Sequence, residues 1–151
     1  MLSLTALLSA QPFDGQAAQQ EAAPPAVPEK SLWDGAYTTD QAELGAFLYD
    51  THCSACHAPN MTGRLDANGD AFPLVGSEFW RRHEGKGLNE TFSFMRTRMP
   101  LGMAGSLPDR DYAAILAYVL QANGYPAGMT ALPMTAAELA AYKFTDFPAG
   151  R

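Results

Sequence analysis

Basic residues are scarce in this chain: ten Lys and Arg stand against sixteen Asp and Glu among 151 residues, a formal charge of −6. That balance argues against a nucleic-acid partner, which needs a basic face. Long apolar runs are missing too, and no stretch approaches the roughly 20 residues of a membrane-spanning helix. Strand signals are equally thin, with no convincing alternation of apolar and polar residues anywhere. Cysteine is confined to Cys53 and Cys56, and histidine to His52, His57 and His83. A structural zinc site would need a second ligand pair, and His52 with His83 makes a poor one.

Apolar residues make up 47% and charged residues 17% of the chain, the balance of a globular protein rather than a disordered one. The length suits one domain with flanking segments. Residues 1–31 divide into "MLSLTALLSA", which resembles the apolar part of a secretory signal, and an Ala/Gln/Pro-rich stretch. No basic residue precedes Lys30, so the signal lacks its usual n-region. The expectation is a signal peptide and export to the periplasm, with a flexible linker from 11 to 31. The folded domain is placed at 32–128 and a C-terminal tail at 129–151.

Two segments have helical periodicity. "YTTDQAELGAFLYDTHC" opens on a capping-box pattern, Thr38 with Gln41, and repeats Ala42, Gly45 and Tyr49, with Leu44 and Leu48, at helical spacing. "SLPDRDYAAILAYVLQANG" offers Ser106 with Asp109 as a second box and ends at Gly124 after Asn123. Tyr112, Ile115, Leu116, Val119 and Leu120 form its apolar face. A shorter helix is expected from about Asn89, and "NGD" at 68–70 is a turn signal. The fold class expected is all-α, three to four helices with long loops.

At the end of the first helix stands "CSACH", Cys53 to His57. C-x-x-C-H is the attachment signal of c-type haem: two thiols add across vinyl groups, and the next residue offers an imidazole to iron. A thioredoxin-like dithiol would want a βαβ setting, which is missing, and a disulfide between near neighbours on a helix is geometrically poor. One haem c, covalently attached, is the expected cofactor.

A second axial ligand is then needed from a loop well downstream. Met61 follows His57 too closely to reach the opposite face, Met95 lies within the helix expected from about Asn89, and Met129 and Met134 lie in the tail. His83, exposed beside Arg81 and Arg82, reads as a solvated side chain. Met99 and Met103 remain, both in the loop between two helices. Sulfur in that position favours ferrous iron and closes the site to dioxygen and peroxide.

With these motifs in order, the chain resembles class I c-type cytochromes, and more narrowly the cytochrome modules of quinoprotein (PQQ) alcohol dehydrogenases. The resemblance runs from about Tyr37 to Gly128 and includes "FPLVGSEFW" and "RTRMPLGMAGSLPDRDYAAILAYVLQANGYPAG". It implies that Met99, in "MP" ahead of "GSL", is the axial sulfur, with Met103 the runner-up where the family commonly has a polar residue. It implies that Gly45 and Tyr49 cross the last helix near Ile115 and Tyr118. Phe72 or Pro73 would supply the carbonyl that holds the axial histidine, and Trp80 would lie near a haem propionate or in the core. Five Lys or Arg between Arg81 and Arg98 pair with propionates, form a basic docking patch, or are simply solvated.

The function expected is that of a periplasmic one-electron carrier in a respiratory chain, without substrate turnover of its own. Its partners would be a dehydrogenase donor and a cytochrome or terminal oxidase acceptor. A tightly bound dehydrogenase subunit is the alternative, and a haem peroxidase or gas sensor with an open sixth position is a third reading.

Overall fold

The computed structural model describes residues 28–66 and 69–145. The signal-like segment and most of the linker lie outside the described residues, as do residues 67–68, which include Asn68 of the expected turn, and 146–151. Two long helices frame the fold, α1 (Thr39–His52) and α5 (Asp109–Ala122). Thr38 caps α1 as its pattern predicts, its hydroxyl oxygen accepting the Gln41 N–H at 3.3 Å. The Gln41 side chain does not turn back to complete the box. Its amide clamps Leu132 instead, donating to the Leu132 carbonyl at 3.1 Å and accepting the Leu132 N–H at 2.7 Å.

Helix α5 begins two residues later than the Ser106 signal predicts. Pro108 is its extended N-cap and bears no capping bond. A proline disfavours helical backbone in the residue before it, so Leu107 stays outside the helix and Ser106 closes a turn on Met103. Asp109 pairs with Arg96 at 2.7 Å. At the other end Asn123 caps the helix and Gly124 takes a left-handed φ of 86°, as expected.

The two helices cross at Gly45. A Cβ there would lie 1.9 Å from the Ala114 carbonyl oxygen and 2.9 Å from Tyr118 Cβ. The close approach is therefore to the Ala114 backbone and Tyr118, while Ile115 is buried alongside. Tyr49 meets Tyr118 edge-on at 5.6 Å. Ala42, Leu48 and Tyr49 are buried from α1, and nearly the whole of α5 from Tyr112 to Leu120 is buried. Leu44, which shares the spacing of Leu48, is exposed.

Between them lie a single turn, α2 (Ser54–His57), then α3 (Gly76–His83) and α4 (Leu88–Arg98). The fold is mostly helical, in line with the expected class, though it has more helical segments than the three to four expected. Among the described residues it has six α segments, the last a single turn, α6 (Ala136–Leu139), and four short strands. Strands β2 (Arg64–Asp66) and β3 (Gly69–Ala71) form an antiparallel hairpin, and β1 (Lys30–Ser31) runs parallel to β4 (Tyr142–Lys143). Strands of two or three residues are too short to leave a period-two pattern.

The β1–β4 pair joins the end of the expected linker to the expected tail. Leu132, Leu139, Ala141, Tyr142 and Phe144 are all buried, α6 packs on α4, and Phe144 exchanges backbone bonds with Gly85 (2.8 Å) and Lys86 (3.0 Å). Five residues of the segment set down as a tail thus pack into the domain core. No described helix is long and apolar enough to cross a membrane.

Candidate functional site

Cys53 ends α1, donating its N–H to the Tyr49 carbonyl at 2.8 Å, and opens α2; Cys56 and His57 follow on that turn. The elbow is held from several sides. Tyr49 donates its hydroxyl to the Ala58 carbonyl at 2.7 Å, Gly63 donates its N–H to the His57 carbonyl at 3.1 Å, and Arg64 donates to the Ala55 carbonyl at 3.0 Å. Burial, with Cys53 and Tyr118 nearby, raises the Tyr49 hydroxyl far above its ordinary range, so it remains a donor at any physiological pH.

Both thiols are free. Burial, with Cys56 adding, pushes the Cys53 thiol up to about 11. It is protonated at neutral pH, a poor exchange nucleophile and a poor thiolate ligand as it stands. The neighbouring imidazole is oriented. His57 Nδ1 lies 3.0 Å from the Phe72 carbonyl oxygen, a contact the ring makes only as a donor, and this leaves Nε2 unprotonated in the neutral ring. Of the two carbonyls that the resemblance left open, the structure uses that of Phe72 and not that of Pro73.

The Phe72 loop is itself fixed. Leu74 donates its N–H to the Met61 carbonyl at 2.8 Å, and Asn123 reaches from the end of α5 to the Leu74 carbonyl (2.8 Å) and the Gly76 N–H (3.1 Å). The guanidinium of Arg82 on α3 stacks over the Phe72 ring, 3.5 Å from its centroid. Sequence reasoning passed over both residues. Asn123 was absorbed as a helix terminator and Arg82 as one charge in a basic run.

Met99 stands on a separate element, as the C-cap of α4, with its carbonyl accepting the Tyr112 hydroxyl at 2.7 Å. Contacts to α4 and α5 thus fix its backbone from two sides. Met103 is exposed in the turn that follows. Met61 is buried in the core, Met95 packs against the core, and Met129 and Met134 are exposed. His83 is not the solvated side chain its sequence setting suggested. It is half-buried, donates to the Phe79 carbonyl at 2.7 Å and stacks on Phe79 at 4.1 Å, because Phe79 and His83 share one face of α3. Trp80 is half-buried and packed against the core.

A haem c fits this donor set: two free thiols one helical turn apart, an imidazole with Nδ1 engaged and Nε2 available, and exposed apolar side chains (Leu101, Met103) beyond Met99. A C-x-x-C-H elbow at the end of α1, which crosses α5 through a glycine, defines a c-type cytochrome domain. The family model described as "Cytochrome C oxidase, cbb3-type, subunit III" matches residues 40–119, and the chain belongs to that cytochrome c family. It is also similar to a thiosulfate dehydrogenase of Allochromatium vinosum, 34% identical over 79 residues, which covers 50% of this chain and 29% of that protein. A thiosulfate dehydrogenase of Stutzerimonas stutzeri is 32% identical over 77 residues, covering 50% of this chain and 25% of that protein. The match thus spans less than a third of either relative. The family implies haem c and electron transfer; substrate chemistry does not follow from a match of this extent.

Proposed function

We propose that this protein is a one-electron carrier holding a single haem c through thioether bonds to Cys53 and Cys56, with His57 and Met99 as axial ligands. The observation that carries the reading is the His57 contact, because an imidazole donating Nδ1–H to the Phe72 carbonyl has its other nitrogen available as a ligand beside two free thiols. Bound haem c supplies an iron that gains or loses one electron. The chain's own residues set the conditions for that exchange. Tyr49, Gly63 and Arg64 keep the elbow in place, Phe72 fixes the plane of the imidazole, and Tyr112 fixes the backbone of Met99.

The carrier works in the periplasm after export, between a dehydrogenase and a downstream cytochrome or terminal oxidase. The motif resemblance favours a quinoprotein alcohol dehydrogenase as donor. A second reading is a tightly bound cytochrome subunit of a dehydrogenase, and it is favoured by the two relatives named thiosulfate dehydrogenase, of which the matched stretch is a minor part.

The test is the spectrum of the purified haem protein. A His/Met site gives a low-spin spectrum with a far-red sulfur-to-iron band in the oxidised form, and Met99→Ala abolishes that band. Its persistence in Met99→Ala together with its loss in Met103→Ala would reassign the ligand. A high-spin spectrum with carbon monoxide binding in the native reduced protein would replace the carrier reading with that of a sensor or peroxidase. Co-purification with a dehydrogenase separates subunit from free carrier.

A further inference from the structure

We propose that Arg82 is a positioning residue for the His57 imidazole, acting through the ring of Phe72; the inference rests on the haem reading of His57 given above. The Phe72 carbonyl that orients His57 belongs to the Phe72–Pro73 amide, and this amide has no N–H. No hydrogen bond from its own nitrogen can hold that peptide plane. Upstream the chain is fixed at Ala71 by pairing with Arg64, and downstream at Leu74 by Met61 and Asn123. Between those anchors, and apart from the carbonyl's own contact with His57, Phe72 is tied to a regular element by its ring against the Arg82 guanidinium, 3.5 Å from the centroid.

Packing does not explain the ring, because Phe72 is about half exposed, at 51%, and lies outside the buried core. Arg82 is poorly engaged elsewhere: its approach to Glu78 is 3.5 Å, whereas Arg81 holds the same carboxylate at 2.7 Å. Arg82 lies on α3, a regular element, so the stack couples an irregular loop to a rigid one. Stacking of this kind needs the flat guanidinium; a lysine carries the charge without the plane.

Position and charge predict opposite signs. A well-made Nδ1–H bond to a carbonyl raises the basicity of the imidazole and favours the oxidised state, so loosening Phe72 raises the midpoint potential. Loss of the nearby positive charge alone favours the oxidised state and lowers it. An exposed cation–ring contact is equivalent to about two- to fivefold in an equilibrium constant. That bounds the shift at about two- to fivefold toward the reduced form, ~20–40 mV for one electron.

The experiment measures midpoint potentials of the full haem-loaded chain and of its Arg82→Lys, Arg82→Gln and Phe72→Leu variants, together with the Arg82→Lys/Phe72→Leu double variant. Urea unfolding is run in parallel as a fold control. The proposal expects Arg82→Lys and Phe72→Leu each to raise the potential within that bound, and the double variant to go no further than either alone. It is overturned if Arg82→Lys leaves the potential unchanged while Arg82→Gln lowers it, since the residue then acts by charge only. Additive shifts in the double variant would overturn it as well. If the unaltered protein retains no covalent haem after acid–acetone extraction, the haem reading falls first and this inference with it; normal haem with unmoved potentials removes only the role of Arg82.

Discussion

Replacing Gly45 with alanine sets two effects of opposite sign against each other at one atom. Alanine is the better helix former by about 1 kcal/mol, so an isolated α1 would gain. In the folded protein the added Cβ would stand 1.9 Å from the Ala114 carbonyl oxygen, 2.6 Å from its carbonyl carbon and 2.9 Å from Tyr118 Cβ. Restoring the 3.4 Å of ordinary contact requires the helices to part by about 1.5 Å at their crossing. Two of the three obstacles are backbone atoms of α5, which cannot rotate away. Ala114→Gly would not relieve the clash either, because the carbonyl and not the methyl stands in the way. Overpacking of this kind costs about 3 kcal/mol, toward the upper end of the usual range. Against the propensity gain, the net loss is about 2 kcal/mol. With a urea dependence of about 2 kcal/mol per molar, the unfolding midpoint followed by far-ultraviolet circular dichroism drops by about 1 M. A Gly45→Ala protein as stable as the parent, or more stable, would refute the close crossing of α1 and α5.

Three further changes test other parts of the architecture. Burial holds the His83 imidazole below its ordinary value against a raising contact with the Phe79 carbonyl, and Lys86 and Arg82 reinforce the lowering while Glu90 opposes it. The unfolded chain therefore binds the proton more tightly, so the stability this residue contributes is complete above about pH 6.5 and is lost as pH falls. His83→Gln should flatten that acid-side decline, whose slope for one proton is at most about 1.4 kcal/mol per pH unit, in urea midpoints taken from pH 7 to 5. Gln41→Ala removes both bonds to Leu132; the Leu132 amide should exchange with deuterium about tenfold or more faster, equivalent to about 1.4 kcal/mol of local stability. Asn123→Ala leaves the Leu74 carbonyl and Gly76 N–H without their partner and should lower stability by about 2 kcal/mol, with the fastest-exchanging new amide at Gly76.

The parts of this structure that were legible in the sequence are those fixed by short-range rules. Thr38 caps α1 because its hydroxyl stands three positions before a free N–H of the first turn and has few other places to bond. Gly124 ends α5 because the left-handed turn there excludes a side chain. C-x-x-C-H announces itself because its chemistry is carried by consecutive residues. Gly45 was informative for the converse reason: a costly residue inside a helix signalled a close neighbour, even though the sequence could not say that Ala114 was the atom's host.

The misses share one cause, a side chain with two possible partners, one local and one distant. Gln41 fits a capping box three residues from Thr38, and the structure spends it on Leu132, 91 positions away. Asp109 fits a box with Ser106, yet pairs with Arg96 once Pro108 has moved the helix start. His83 beside two arginines looks solvated until Phe144, brought in by β4, covers its other side at 5.3 Å. Each of these distant partners is made available by the segment after Gly128 or by the loop before α5, where short elements and single apolar residues leave no periodicity to read. Closure of that segment onto α4 and Gln41 also has a consequence for the site: the residues that hold the Phe72 loop, Asn123 and Arg82, sit on α5 and α3, and Phe79 and His83 pack that same α3 against Phe144. The apparent tail therefore helps to fix the helix from which Arg82 reaches the Phe72 ring.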